Sequence, residues 1–102
     1  MINYNKVKIL IIAKINTEKL IDYWRKSAEK DHETAEYLLE GKKYSACLFF
    51  CHLMIEKILK ALVVKETKTH SPYTHKLVDL AKLAKIKLNK RQINNLTTET
   101  FI

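Results

Sequence analysis

Glycine and proline occur once each in this 102-residue chain, as Gly41 and Pro72. So little turn-forming material argues against a fold built from tight hairpins, whose favoured turns need residues at positive φ. The single glycine also rules out a glycine-rich phosphate cradle. Any nucleotide would have to be held by Lys, Arg and helix termini instead. There are two cysteines, Cys47 and Cys51, one helical turn apart. A disulfide framework needs more of them, and a zinc site needs further converging ligands. The four histidines are scattered without a paired acid at ligand spacing, so neither a metal site nor a cofactor is expected. Two reduced core thiols fit a reducing compartment. The longest apolar run, near Ile9 to Ala13, is too short to span a bilayer or to serve as a secretory signal, and no small-residue cleavage site follows it. The expected location is cytoplasmic, with no membrane association.

What the chain does have is Leu, Ile, Ala, Glu and Lys in abundance, the composition of an all-α protein. Its length suits one domain with a single core. The net charge of +8 is uneven: residues 17–56 hold six Lys/Arg against eight Asp/Glu, and residues 57–102 hold ten against three. A basic second half can meet nucleic acid or an acidic partner, although a Lys-rich solvated surface explains the same numbers.

The organising stretch is Tyr44 to Glu66, YSACLFFCHLMIEKILKALVVKE, which has neither Gly nor Pro. At about 100° per residue, Phe50, Ala61, Met54, Cys47, Ile58, Cys51, Leu62, Ile55, Leu48 and Leu59 fill roughly half the circumference. His52, Glu56, Lys57 and Lys60 share the other half, where an ordinary solvated face is expected, with Glu56 pairing to Lys60 and His52 to Glu56 at i, i+4. Phe49 and Leu53 lie among these polar residues, so the helix is apolar beyond one face. This is the pattern of a central bundle helix with neighbours on several sides, including a second copy of the chain, and Phe49 and Leu53 are the expected dimer contacts.

Residues 1–16 read as an N-terminal arm or a short helix, followed by a helical-bundle domain over 17–102. The first long helix is expected from a Thr17 cap to about Glu40, with Gly41 ending it. Its apolar stripe is Leu20, Tyr23, Trp24, Ala28, Ala35 and Leu38. Asp31 falls in the centre of that stripe, where a carboxylate must be paired or hydrogen-bonded; satisfaction by a Lys, His or Tyr of a neighbouring helix is the expected arrangement. The short Gly41-Lys42-Lys43 connection makes the first two helices antiparallel. A loop follows around Ser71-Pro72. Thr74 is expected to cap a third helix near His75 to Ala84, burying Leu77, Leu80, Ala81 and Ala84. Asn89 and Gln92 read as a capping box for a fourth helix carrying Ile93, Leu96 and Phe101. The apolar end at Phe101-Ile102 reads as a bundle shortened at its C-terminus.

Three blocks in register, Trp24, Ala28 and Asp31 within DYWRKSAEKDHETAEYLLEGKKY, then FFCHLMIEKILKAL at 49–62, then Thr74, His75 and Leu77 in YTHKLVDLA, resemble the HEPN family (higher eukaryotes and prokaryotes nucleotide-binding domain). The resemblance covers about residues 20–84. It implies a mostly up-and-down bundle of four to five helices that forms homodimers and works beside a minimal nucleotidyltransferase partner in a toxin–antitoxin pair. It also implies candidate binding residues at Asp31, His52, Glu56, Lys57, Lys60 and His75, with His75 bonding the start of the third helix to the bundle.

Many similar toxins are metal-independent endoribonucleases with an Arg-x4-6-His motif, in which His handles a ribose 2′-hydroxyl proton and Arg holds the phosphate. This chain departs from that pattern in its C-terminal part, where Arg91 is followed by no His. The one formal match is Arg25 to His32 on the first helix, two residues about 10 Å apart along the axis and on nearly one side of it. Whether the chain is an enzyme is therefore left open. A dimeric interaction module, a ribonuclease using Arg25 and His32, and a nucleotide- or RNA-binding protein without catalysis are the three readings.

Overall fold

The computed structural model describes residues 3–69 and 74–99, and among them four helices and no strand. Asn3 starts the first. Its side-chain oxygen accepts from the backbone N–H groups of Asn5 at 3.0 Å and Lys6 at 3.3 Å, the arrangement that makes Asn a good N-cap. Neither Gly nor Pro then intervenes before Gly41, and α1 runs unbroken over Tyr4–Glu40 for 37 residues. This corrects the start expected at Thr17. Residues 4–16 are the first turns of α1, because Asn3 supplies the cap and nothing after it breaks the backbone ladder.

Gly41 ends α1, but not through a positive φ. Its φ is −81°, and Lys42 takes the left-handed conformation at 58°. Lys43 N–H donates to the Leu38 carbonyl at 2.8 Å and Lys42 N–H to the Leu39 carbonyl at 3.0 Å, the bond pair of a Schellman ending.

The chain returns as α2, Tyr44–Thr67. Asp31 of α1 meets Lys57 of α2, and Trp24 meets Lys60. One number falls as the other rises, so the two helices are antiparallel. Both start from the turn at 41–43, and α1 outruns α2 by about 20 Å, leaving Val7 and Ile11 exposed.

After α2, Thr74 Oγ1 accepts from Lys76 N–H at 3.2 Å, and α3 spans Leu77–Leu83. It begins two residues later than His75. It closes with a second Schellman pair, Ile86 N–H to the Ala81 carbonyl and Lys85 N–H to the Lys82 carbonyl, with Lys85 at φ 59°. Helix α4, Lys90–Glu99, opens on the expected capping box: Gln92 N–H donates to Asn89 Oδ1 at 2.8 Å, and Asn89 N–H to Gln92 Oε1 at 3.0 Å. The expected contributions of Leu96 and Phe101 fall outside the residues whose side chains are described.

The core sits between α2 and α3, where Leu59, Val63, Leu77, Leu80 and Ala81 are buried, flanked by Ile55, Ala84, Ile86 and Leu88. From α1 come Ala28 and Ala35, small residues that let α2 approach closely. The molecule measures 62 × 30 × 18 Å with a radius of gyration of 16.7 Å, against about 13 Å for a compact domain of this length. The thinnest dimension, 18 Å, is that of about two layers of helix with axes about 8–10 Å apart. Such a slab cannot enclose α2 on all sides.

Candidate functional site

The polar side of α2 faces inward rather than toward solvent. Glu56 and Lys60 are each 6 % exposed, which corrects the solvated face expected for them. Polarity around the helix does not decide the facing here, because neighbouring elements bring complementary groups. Glu56 Oε2 lies 3.1 Å from Lys60 Nζ and 3.1 Å from Nδ1 of His75, which reaches over from the start of α3. His52 Nε2 stands 3.8 Å from Glu56 Oε1. The Lys60 ammonium also sits 5.0 Å above the Trp24 ring of α1, a cation–π contact that strengthens where water is excluded. Glu56 thus joins three elements: its own helix, the start of α3 and, through Lys60, α1.

One turn away, Lys57 Nζ approaches Asp31 Oδ2 to 2.6 Å. The approach is electrostatic rather than a well-aligned hydrogen bond, since this oxygen has no partner of hydrogen-bond geometry. The carboxylate in the apolar stripe of α1 is thus charge-paired with a lysine of the neighbouring helix. Trp24 Nε1 and His52 Nδ1 are buried without a hydrogen-bond partner. The six candidate binding residues thus fall into two groups, the Asp31–Lys57 pair and Glu56 with His52, Lys60 and His75. Their ion pairs neutralise each other in place, and only the His75 side chain, 74 % exposed, opens broadly to solvent.

Arg25 and His32 lie elsewhere on α1. Both line a groove of about 210 Å³ between α1 and α2, together with Ala28, Glu29, Met54 and Ile58. Each is engaged within its own helix. Arg25 Nη2 bonds Asp22 Oδ1 at 2.8 Å, and His32 Nε2 is 3.1 Å from Glu36 Oε1. Hydrogen bonds from Lys26 first and Arg25 second hold the Asp22 carboxyl below its ordinary range. The groove places the two residues on one flank but gives them apolar neighbours, Met54 and Ile58, rather than a cluster of further phosphate-binding donors.

Phe49 is exposed and Leu53 half-buried. Three members of the expected buried arc, Leu48, Ile58 and Leu62, are exposed, and so is Tyr23 of the expected α1 stripe. These are corrections with one cause: periodicity marks the surface that should be covered, and one slab of this chain lacks the helices to cover all of it. The lysines and arginine of the second half, Lys65, Lys68, Lys76, Lys82, Lys85, Lys87, Lys90 and Arg91, are all exposed, with Lys85 paired to Glu66 at 3.1 Å. His70 lies outside the described residues. Among the described residues no group of three His, Cys, Asp or Glu could hold a metal ion. No described helix is long and apolar enough to cross a membrane.

The family model described as the HEPN domain matches residues 21–101. Comparison with curated proteins and with solved structures gives no significant match.

Proposed function

Because this chain belongs to the HEPN family, with the nucleotide- and RNA-related function that membership suggests, we propose that it is a dimeric helical-bundle module. It works with a minimal nucleotidyltransferase as one half of a toxin–antitoxin-like pair. The observation that carries this reading is the commitment of the charged side chains. Arg25 is tied to Asp22, His32 to Glu36, Asp31 to Lys57, and Glu56 to Lys60 and His75, while large apolar side chains of α2 stand in water. Polar groups locked in pairs beside uncovered apolar surface suit binding better than turnover.

The test is co-purification. A small nucleotidyltransferase encoded in an adjacent reading frame, co-expressed with this chain, is expected to co-elute with it as one complex. Separate elution at micromolar concentrations overturns the pairing.

A second reading rests on the groove that Arg25 and His32 share. In a metal-independent endoribonuclease, His32 would take the 2′-hydroxyl proton and Arg25 would hold the phosphate, with the exposed cations of the second half gathering RNA. Purified protein would then cut RNA in EDTA, and His32→Ala would abolish the cutting. Salt-sensitive RNA binding without cleavage would instead mark the chain as a binding protein.

A further inference from the structure

Between α3 and α4 lies a cavity of about 150 Å³, lined by Val78 and Lys82 of α3, Ile86 and Leu88 of the connection, and Ile93 of α4. It is far smaller than the ~300–1,000 Å³ of a small-molecule pocket, and its aliphatic walls suit one apolar side chain. Exposed cations stand around it. Lys82 lies four residues beyond Val78, on the same side of α3, and Lys90 three residues before Ile93, on the same side of α4. Lys85, Lys87 and Arg91 follow close by in the chain and are exposed too. From Lys82 to Thr98 the sequence holds no Asp or Glu. Among the described residues, only Lys85 of these five cations has a carboxylate partner, Glu66 at 3.1 Å. Lys90 and Arg91 also occupy the first turn of α4, which carries no acid. That is the positive end of the helix dipole, where cations are unfavourable and an arriving anion is stabilised.

We propose that this surface docks an acidic segment of a partner protein, which places one apolar side chain in the cavity and its flanking carboxylates on Lys82 and Lys90. The charge fixes the sign of the partner, and the cavity fixes its kind. RNA would also meet the cations, but a base needs a flat ring to stack on. Between Tyr73 and Phe101 the sequence has no Phe, Tyr or Trp. The walls are Val, Ile and Leu instead, which gain most from burying a leucine-like side chain. A second copy of this face would bring the same cations against its own, and like charges in contact oppose docking. The surface takes an acidic segment whichever protein carries it, so it stands apart from the nucleotidyltransferase pairing above.

The probe is a fluorescein-labelled peptide of Glu and Asp around a central Leu, titrated with the full chain and followed by anisotropy. The expected dissociation constant is on the order of 10 micromolar at low salt. Ser in place of the central Leu is expected to weaken binding about tenfold, the loss of one buried apolar side chain. Lys82→Glu with Lys90→Glu is expected to weaken it about tenfold or more, with the circular dichroism unchanged because both side chains are exposed. Lys42→Glu with Lys43→Glu makes the same change in net charge at the start of α2, whereas Glu66, which meets Lys85, lies at its end. That variant is expected to bind within about twofold of the parent, since the reversed charges lie well beyond a Debye length. No binding at about 100 micromolar chain, or equal affinity for the Leu and Ser peptides, overturns the docking site. An equal loss in the two charge-reversed variants reduces the contact to net charge and overturns it as well. A uridine RNA of about ten nucleotides that binds more tightly than the peptide, and loses that affinity on Lys82→Glu with Lys90→Glu, makes the face a nucleic-acid surface and overturns the peptide assignment.

Discussion

Lys57 Nζ of α2 stands 2.6 Å from Asp31 Oδ2 of α1, and this pair ties the two longest helices together near the middle of α2. The Asp31 side chain is 11 % exposed and that of Lys57 22 %, so most of the Coulomb attraction is felt without water between the groups. Removing one partner strands the other. Asp31→Ala is expected to cost about 3 kcal/mol, the lower end for a buried pair, since Lys57 retains a path to solvent. Asp31→Leu combined with Lys57→Met is expected to recover most of that loss. Urea unfolding of the two variants checks both values, and a double variant no more stable than Asp31→Ala would show that the pair's location, rather than its charge, matters.

Glu56 carries the larger load in the neighbouring cluster. Its bond with His75 spans 19 positions in sequence, yet the imidazole is mostly in water. His75→Ala is therefore expected to cost only about 1 kcal/mol. Glu56→Gln takes the counter-charge from Lys60, whose side chain is 8 % exposed, and is expected to cost about 3 kcal/mol. Trp24, the only tryptophan, reports on it directly. Lys60 lies over its ring, so the emission of Glu56→Gln is expected to shift while that of His75→Ala stays close to the parent.

The turn between α1 and α2 holds its residues in an unfavourable order. Gly41 sits at φ −81°, where any residue fits, and an added Cβ would meet nothing closer than 3.7 Å. Lys42, one position on, takes φ 58°, where a side chain is strained and glycine is not. Gly41→Ala is expected to stabilise by about 0.5 kcal/mol through the unfolded chain, and Lys42→Gly by a similar amount through relief of the left-handed conformation. Thermal unfolding of the exchanged pair, alanine then glycine, should rise by a few degrees. A fall would mean that the Lys42 side chain holds the turn.

Helix content, the antiparallel pair, the Asn89–Gln92 box and the buried Leu77, Leu80 and Ala81 were all legible in the sequence, because each follows from local chemistry or a strong apolar period. The inward turn of Glu56 and Lys60 was not. A helical wheel sorts residues by polarity, and nothing local to α2 reveals that Trp24 and His75 arrive from other elements to receive them. The start of α1 was obscured because Thr17 reads as a plausible cap, whereas the uninterrupted run begins at Asn3, whose side chain caps it. The left-handed lysines at 42, 68 and 85 left no trace, since lysine carries no preference for that conformation. The Arg25–His32 spacing was readable as geometry, but their partners Asp22 and Glu36 lie within the same helix and decide how free the two side chains are.

Arg25 is tethered through Asp22. The Asp22 carboxyl it shares with Lys26 is held below the ordinary 3.8, so the folded chain keeps it ionised further into acid than the unfolded chain does. The sign follows: the stabilisation is complete above the unfolded value and disappears as pH falls through the lowered one. At neutral pH the carboxylate is therefore charged and Arg25 tethered. Asp22→Asn removes one negative charge and frees the guanidinium toward the groove. If Arg25 meets RNA phosphate, this variant is expected to bind RNA more tightly at low salt, with the slope of log affinity against log salt steeper by about one. Arg25→Gln in the same background should cancel the gain. An unchanged slope in Asp22→Asn would remove Arg25 from any phosphate contact and, with it, the ribonuclease role for the Arg25–His32 pair.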